Sequence, residues 1–148
     1  ALWLAFRHTD TFGACGSMSG GVDIRPFPDQ WDMKQWLGEY SKYPKVWNDH
    51  TVITQLYRLR PEPHVQGGRG NDWMMKSVEG RPAIIIDCGI DDFFYDVNVA
   101  LHEAMQHNNI AHTFITRPGV HTHTYWHYAL PFQLLFFHEY FEREAQPE

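Results

Sequence analysis

Apolar and polar positions change regime most sharply at Ile84-Ile85-Ile86-Asp87-Cys88-Gly89-Ile90-Asp91-Asp92-Phe93. The β-branched run from Ala83 to Cys88 predicts a strand covered on both faces, as in the middle of a parallel sheet. It stops at a glycine and a pair of acids. Val97, Leu101, Ala104 and Met105 then recur at helical spacing, and Asn108-Asn109 ends that helix. Ala111 to Thr116 is the next strand, closed by Pro118-Gly119. Thr124 to Arg143 follows as a helix with Tyr125, Ala129, Phe132, Leu135, Phe136 and Tyr140 facing inward. Pro131 inside it is expected to cost about 3 kcal/mol or to force a kink. Strand, helix, strand, helix is the grammar of βαβ units.

The front of the chain fits the same sheet. Residues 1 to 8, Ala1-Leu2-Trp3-Leu4-Ala5-Phe6-Arg7-His8, are apolar on most sides and predict a buried helix. Such an opening suits an interior position of a longer gene product. Phe12 to Ser19 is a second candidate strand, built of small residues and running into the Gly20-Gly21 turn. Residues 22–80 form a long connection rich in aromatics and turn formers. Within it Asp29 is a candidate N-cap, with Asp32 at N3, for a short helix carrying Trp31, Met33 and Trp36 and ending at Gly38. A second helix is expected from Asn48 to Leu59, with Val52, Leu56 and Leu59 on one face. Residues 60–80, with Pro61, Pro63, Gly67, Gly68 and Gly70, read as loop. Gly67-Gly68-Arg69-Gly70 lacks the preceding strand and following GK[ST] of a phosphate cradle.

Bulk properties narrow the function classes. The 148 residues suffice for a single domain with a core. A net charge of -6, with no Lys or Arg run, argues against a nucleic-acid surface. No apolar stretch reaches membrane-spanning length, since Leu134 to Phe137 is fenced by Gln133 and His138. The two cysteines, Cys15 and Cys88, are far apart and read as buried free thiols on neighbouring strands.

The candidate chemistry lies at strand ends, where loops and helix N-termini converge in a parallel α/β sheet. Gly89 to Phe93 offers an acid and Arg117 to His123 offers histidine. An acid and a histidine past neighbouring strands are the second half of a serine, acid, histidine series in chain order. Asp91 or Asp92 can equally cap the following helix, and His121 or His123 can be a plain loop residue. The serine is missing. Gly16-Ser17-Met18-Ser19-Gly20 imitates a GxSxG turn, but Met18 stands where the nucleophile belongs, so Ser17 and Ser19 read as strand-end residues. Two rival readings remain. His121, His123 and His127, with Asp91, Asp92 and His102 in range, are a possible metal set; the rest of the pattern calls for no metal and no cofactor. Alternatively the chain is a non-catalytic binding or interaction module.

The residues Ile86-Asp87-Cys88-Gly89-Ile90-Asp91-Asp92-Phe93, Gly119-Val120-His121, Tyr125-Trp126 and Phe136-Phe137 carry a resemblance. So do Ala1-Leu2-Trp3, Arg7-His8-Thr9-Asp10 and Ser17-Met18-Ser19-Gly20. In their order and spacing they resemble the C-terminal half of the esterase D-like α/β-hydrolases. That family includes S-formylglutathione hydrolases, feruloyl and acetyl xylan esterases and mycolyl transferases, and the likeness is greatest to esterases of Bacteroides-like bacteria. The resemblance implies the C-terminal part of an α/β-hydrolase fold: about three parallel strands flanked by helices, over one partial domain, 1–148. It implies a serine carboxylic-ester hydrolase in which Asp92 is the triad acid and His121 the base, with Asp91 and His123 as runners-up. The nucleophile and oxyanion donors then lie upstream of Ala1, so the chain alone should be inactive. Trp31, Trp36 and Trp126 become candidate substrate contacts, and Trp47 a further one. The implied partners are a small-molecule or carbohydrate-linked ester and the N-terminal half of the same domain, or a second copy; the implied compartment is secreted or periplasmic.

Overall fold

A computed structural model describes residues 1–59 and 80–145. The expected loop at 60–80 thus lies outside the described residues, Gly80 excepted. Element order is α1 (Leu2–Arg7), β1 (Ala14–Met18), α2 (Met33–Leu37), α3 (Pro44–Asp49), a 3-10 helix (Ile53–Leu59), β2 (Ala83–Gly89), α4 (Tyr95–His107), β3 (Thr113–Arg117) and α5 (His123–Glu144). The three strands form one sheet in the order β1-β2-β3. Both pairings are parallel, with Ser17 opposite Ile86 and Asp87 opposite Ile115.

β2, apolar except for Asp87, is the central strand. Its side chains alternate between two helical layers. Ile84 and Ile86 join Leu2, Phe6, Leu56, Leu59, Leu101 and Met105 in a core under α1, α4 and the 3-10 helix. The opposite face carries Asp87, whose carboxylate is fully buried and accepts a hydrogen bond from Tyr125 Oη of α5 at 2.6 Å. Burial first, and then that carboxylate, push the Tyr125 hydroxyl well above its ordinary value. A polar group inside the sheet is therefore matched by a partner from the covering helix.

Several local expectations need correction. In α1 only Leu2, Ala5 and Phe6 are buried, while Leu4 is exposed. The helix from Asn48 to Leu59 is two elements. The Thr51 hydroxyl donates to the Trp47 carbonyl and the Thr54 hydroxyl to the Thr51 carbonyl. These side-chain bonds compete with helix continuation. Asp29 caps nothing: α2 starts at Met33, after Trp31 and Asp32 in left-handed conformation, and no side chain caps it.

On α5 the buried stripe is Tyr125, Ala129 and Gln133, a strict i, i+4, i+8 series. Phe132 and Leu135, expected inward, are exposed, and Phe136 and Tyr140 are half-buried. Pro131 is tolerated because it lies on the solvent side. The carbonyl it leaves without an amide partner belongs to His127, also exposed, where water can satisfy it.

Candidate active site

Two loops meet past the carboxyl ends of β2 and β3. They are joined through backbone: Ile90 N donates to Arg117 O and Asp91 N to Gly119 O, both at 3.0 Å. The Asp91 carboxylate also accepts from Gly119 N at 3.3 Å. Gly89 and Gly119 make this closeness possible, since a Cβ on Gly89 would overlap the Gly119 carbonyl.

That junction brings Asp92 against His121. The imidazole Nδ1 lies 2.9 Å from Asp92 Oδ2 and 3.2 Å from Oδ1. Oδ1 also accepts from Phe94 N at 2.8 Å, so the start of α4 fixes the carboxylate plane. The Asp92 side chain is fully buried and that of His121 is 26% exposed. With Nδ1–H donated to a buried carboxylate, the neutral ring keeps its lone pair on Nε2. Such an imidazole can take a proton from a nucleophile and be stabilised as a cation.

The other candidates separate cleanly. Asp91 turns to Gly119 and holds the junction. His123 starts α5, with its ring edge-on to Trp126 at 5.0 Å. Among the described residues no group of three His, Cys, Asp or Glu side chains could hold a metal ion. His121 is committed to Asp92, and His102 pairs with His112 at 2.7 Å on α4 and the approach to β3.

Rings surround His121. Phe93 lies 4.4 Å away by centroid, Trp126 4.9 Å and Phe94 5.6 Å. Trp31 continues this wall, at 5.7 Å from Phe93 and 5.2 Å from Phe94. Trp31 holds φ at 50°, an uncommon backbone state for a bulky residue, with its ring braced on three aromatics. It is half exposed, so part of the wall faces solvent. Trp36 is 83% exposed and stands apart, whereas Trp47 is fully buried and donates to the Gly38 carbonyl at 2.9 Å. Trp47 is a core residue. Phe93 and Phe94 were missed as site residues; their position directly after the acid pair was the available signal.

Ser19 is not presented to this site as a nucleophile. Ser19 is 3% exposed, at φ 51°, with its hydroxyl turned inward beside Cys88. Both thiols are free and pushed up to about 12: Cys15 by burial, Cys88 by burial first and then by the nearby Asp92 and Asp87 charges. At pH 8 about one thiol in ten thousand is then ionised, and the thiolate is the reactive form. Native protein should therefore resist iodoacetamide at pH 8, and two alkylations per chain should appear by mass only after unfolding. Alkylation of the native chain at the rate of free cysteine would contradict this.

Three parallel strands flanked by helices have the fold of the C-terminal part of an α/β-hydrolase. Solved structures agree. A ferulic acid esterase is 24% identical with a TM-score of 0.59, over 93% of this chain and 45% of its own. An S-formylglutathione hydrolase from Staphylococcus aureus is 19% identical with a TM-score of 0.63, over 87% of this chain and 46% of its own. A fluorophosphonate-binding serine hydrolase from the same species gives 19% and 0.61 over the same shares. The chain thus spans just under half the length of the structures it matches. No family model and no curated protein matches.

Proposed function

We propose that this chain is the acid- and base-bearing part of a serine carboxylic-ester hydrolase, with Asp92 as triad acid and His121 as base. The observation that carries this reading is the His121 Nδ1 to Asp92 Oδ2 contact at 2.9 Å, past adjacent parallel strands. The serine and the oxyanion donors come from outside these 148 residues. His121 Nε2 accepts the serine proton as Oγ attacks the ester carbonyl, then delivers it to the departing alcohol. Asp92 stabilises the imidazolium in between. Water, deprotonated by the same Nε2, then attacks the acyl carbon, and as the bond to Oγ breaks and the acid leaves, the imidazolium returns the proton to serine.

The partner that supplies the serine is the N-terminal half of the same domain. Two features support it. Tyr128, Phe132 and Leu135 expose apolar side chains along one flank of α5, and Leu130, Leu134 and Phe141 along another. The outer side of β1 has no strand beside it among the described residues, leaving an edge open to pairing. The same features favour a second reading, self-association of a non-catalytic module. Mixing the chain with the N-terminal half decides between them. Hydrolysis of a p-nitrophenyl ester should appear, vanish in His121→Ala, and persist in excess chelator. Loss of activity to chelator would favour a metal site; no activity from the mixture would favour the non-catalytic module.

The aromatic wall sets the substrate class within this reading. Phe93 packs on the base and Trp31 packs on Phe93, and the two rings suit a flat or apolar group of a small-molecule or carbohydrate-linked ester. Trp31→Ala should raise KM for an aryl ester by roughly 2- to 10-fold, matching about 0.5–1.5 kcal/mol of ring stacking, with kcat little changed. Trp36→Ala, at a solvent-facing position, should leave both constants within error.

A further inference from the structure

The loop carrying His121 runs from Arg117, the last residue of β3, to Tyr125, in the first turn of α5. Both end residues reach the same buried carboxylate. Tyr125 Oη donates to Asp87 Oδ1 at 2.6 Å, and Arg117 Nη2 forms an ion pair with Asp87 Oδ2 at 2.9 Å. Asp87 sits at the centre of the sheet with no solvent exposure, so it is a fixed point. The Arg117 guanidinium also lies over the Phe132 ring at 4.6 Å and the Tyr125 ring at 5.7 Å. Inside the loop the Tyr125 ring packs so closely on Gly119 that a Cβ there would overlap it.

We infer that Asp87, Arg117 and Tyr125 form a clamp that positions His121 on Asp92, by tying both ends of its loop to one buried carboxylate. The inference rests on the acid–base reading of Asp92 and His121. All three are positioning residues, because none touches the reacting atoms. Burying a carboxylate in a sheet is unfavourable unless its oxygens are matched. A plain packing role at this position is filled as well by an apolar side chain. The polar version fixes direction: a hydrogen bond from Tyr125 and an ion pair with Arg117 define where α5 begins and where β3 ends. The seven residues between them then have little freedom, and the Asp91 contact to Gly119 holds their middle.

The test is proton and nitrogen NMR of the His121 ring in this chain. Recorded at a pH high enough that imidazoles are neutral, the parent should show a downfield Nδ1 proton and the tautomer protonated on Nδ1. Tyr125→Phe keeps the ring on Gly119 but removes the hydroxyl; Asp87→Asn and Arg117→Lys weaken the other contacts. Each of the three that folds should lose the downfield line and show a mixture of tautomers. Thr51→Val removes a buried hydrogen bond far from the loop and should lower the melting temperature while leaving the His121 signals unchanged. If folded Tyr125→Phe or Arg117→Lys keeps the parent signals, the clamp is refuted and the acid–base reading stands. If the parent itself lacks the Nδ1 line, the acid–base reading fails and the clamp with it.

Discussion

Asp92→Asn should lower kcat of the assembled hydrolase by about ten-thousandfold, with KM and melting temperature close to the parent. The geometry gives the reason. Phe94 N–H donates to Oδ1, so an asparagine keeps its carbonyl oxygen there and turns its amide toward His121. That amide occupies the place of Oδ2, 2.9 Å from Nδ1, and donates to it. The neutral imidazole then carries its proton on Nε2, the nitrogen that must accept the serine proton. Binding is untouched, because Asp92 lies beneath the histidine and is closed to substrate. Steady-state hydrolysis of a p-nitrophenyl ester reads the loss. An Asp92→Asn enzyme within tenfold of the parent would assign the acid role elsewhere.

Gly89→Ala should destabilise the chain by about 3 kcal/mol, lowering the melting temperature by roughly 6 to 12 °C. The added Cβ would meet the Gly119 carbonyl oxygen and carbon. Those are backbone atoms of the adjoining loop, already committed to Asp91 N. Nothing flexible can move aside, so the loops past β2 and β3 must separate. Activity should fall with stability, because the same separation parts Asp92 from His121. Gly80→Ala is the contrast: among the described residues no atom stands within 4 Å of its Cβ, although its φ of 85° leaves a smaller backbone penalty. Thermal unfolding followed by circular dichroism compares them. Equal shifts for the two would remove the packing argument.

The strand ends were legible because two independent signals coincide there. A β-branched run that stops at glycine marks where β2 ends, and acids just after it mark the following helix start. Neighbouring β2 and β3 bring an acid and a histidine together, but the choice of Asp92 over Asp91 and of His121 over His123 comes from the family resemblance and not from topology. The phase of α5 was not legible. Apolar residues occupy nearly every side of it from Leu130 to Phe137, so period alone cannot select the Tyr125, Ala129, Gln133 stripe. The break between α3 and the 3-10 helix rests on threonine hydroxyls whose partners are set by folding. Pro44 at the first turn of α3 was a usable start signal that went unread. Asp87 was visible as an acid inside an apolar run. Its partners Arg117 and Tyr125 lie 30 and 38 positions on, beyond the reach of any local pattern.

In the proposed reading this chain holds the acid and the base, and another segment holds the nucleophile. Fluorophosphonate labelling, read by intact mass, tests it most directly. The isolated chain should gain no mass, and the chain joined to the N-terminal half of the domain should gain one phosphonyl group, on a serine outside these 148 residues. A phosphonyl adduct on Ser17 or Ser19 of the isolated chain would contradict the account.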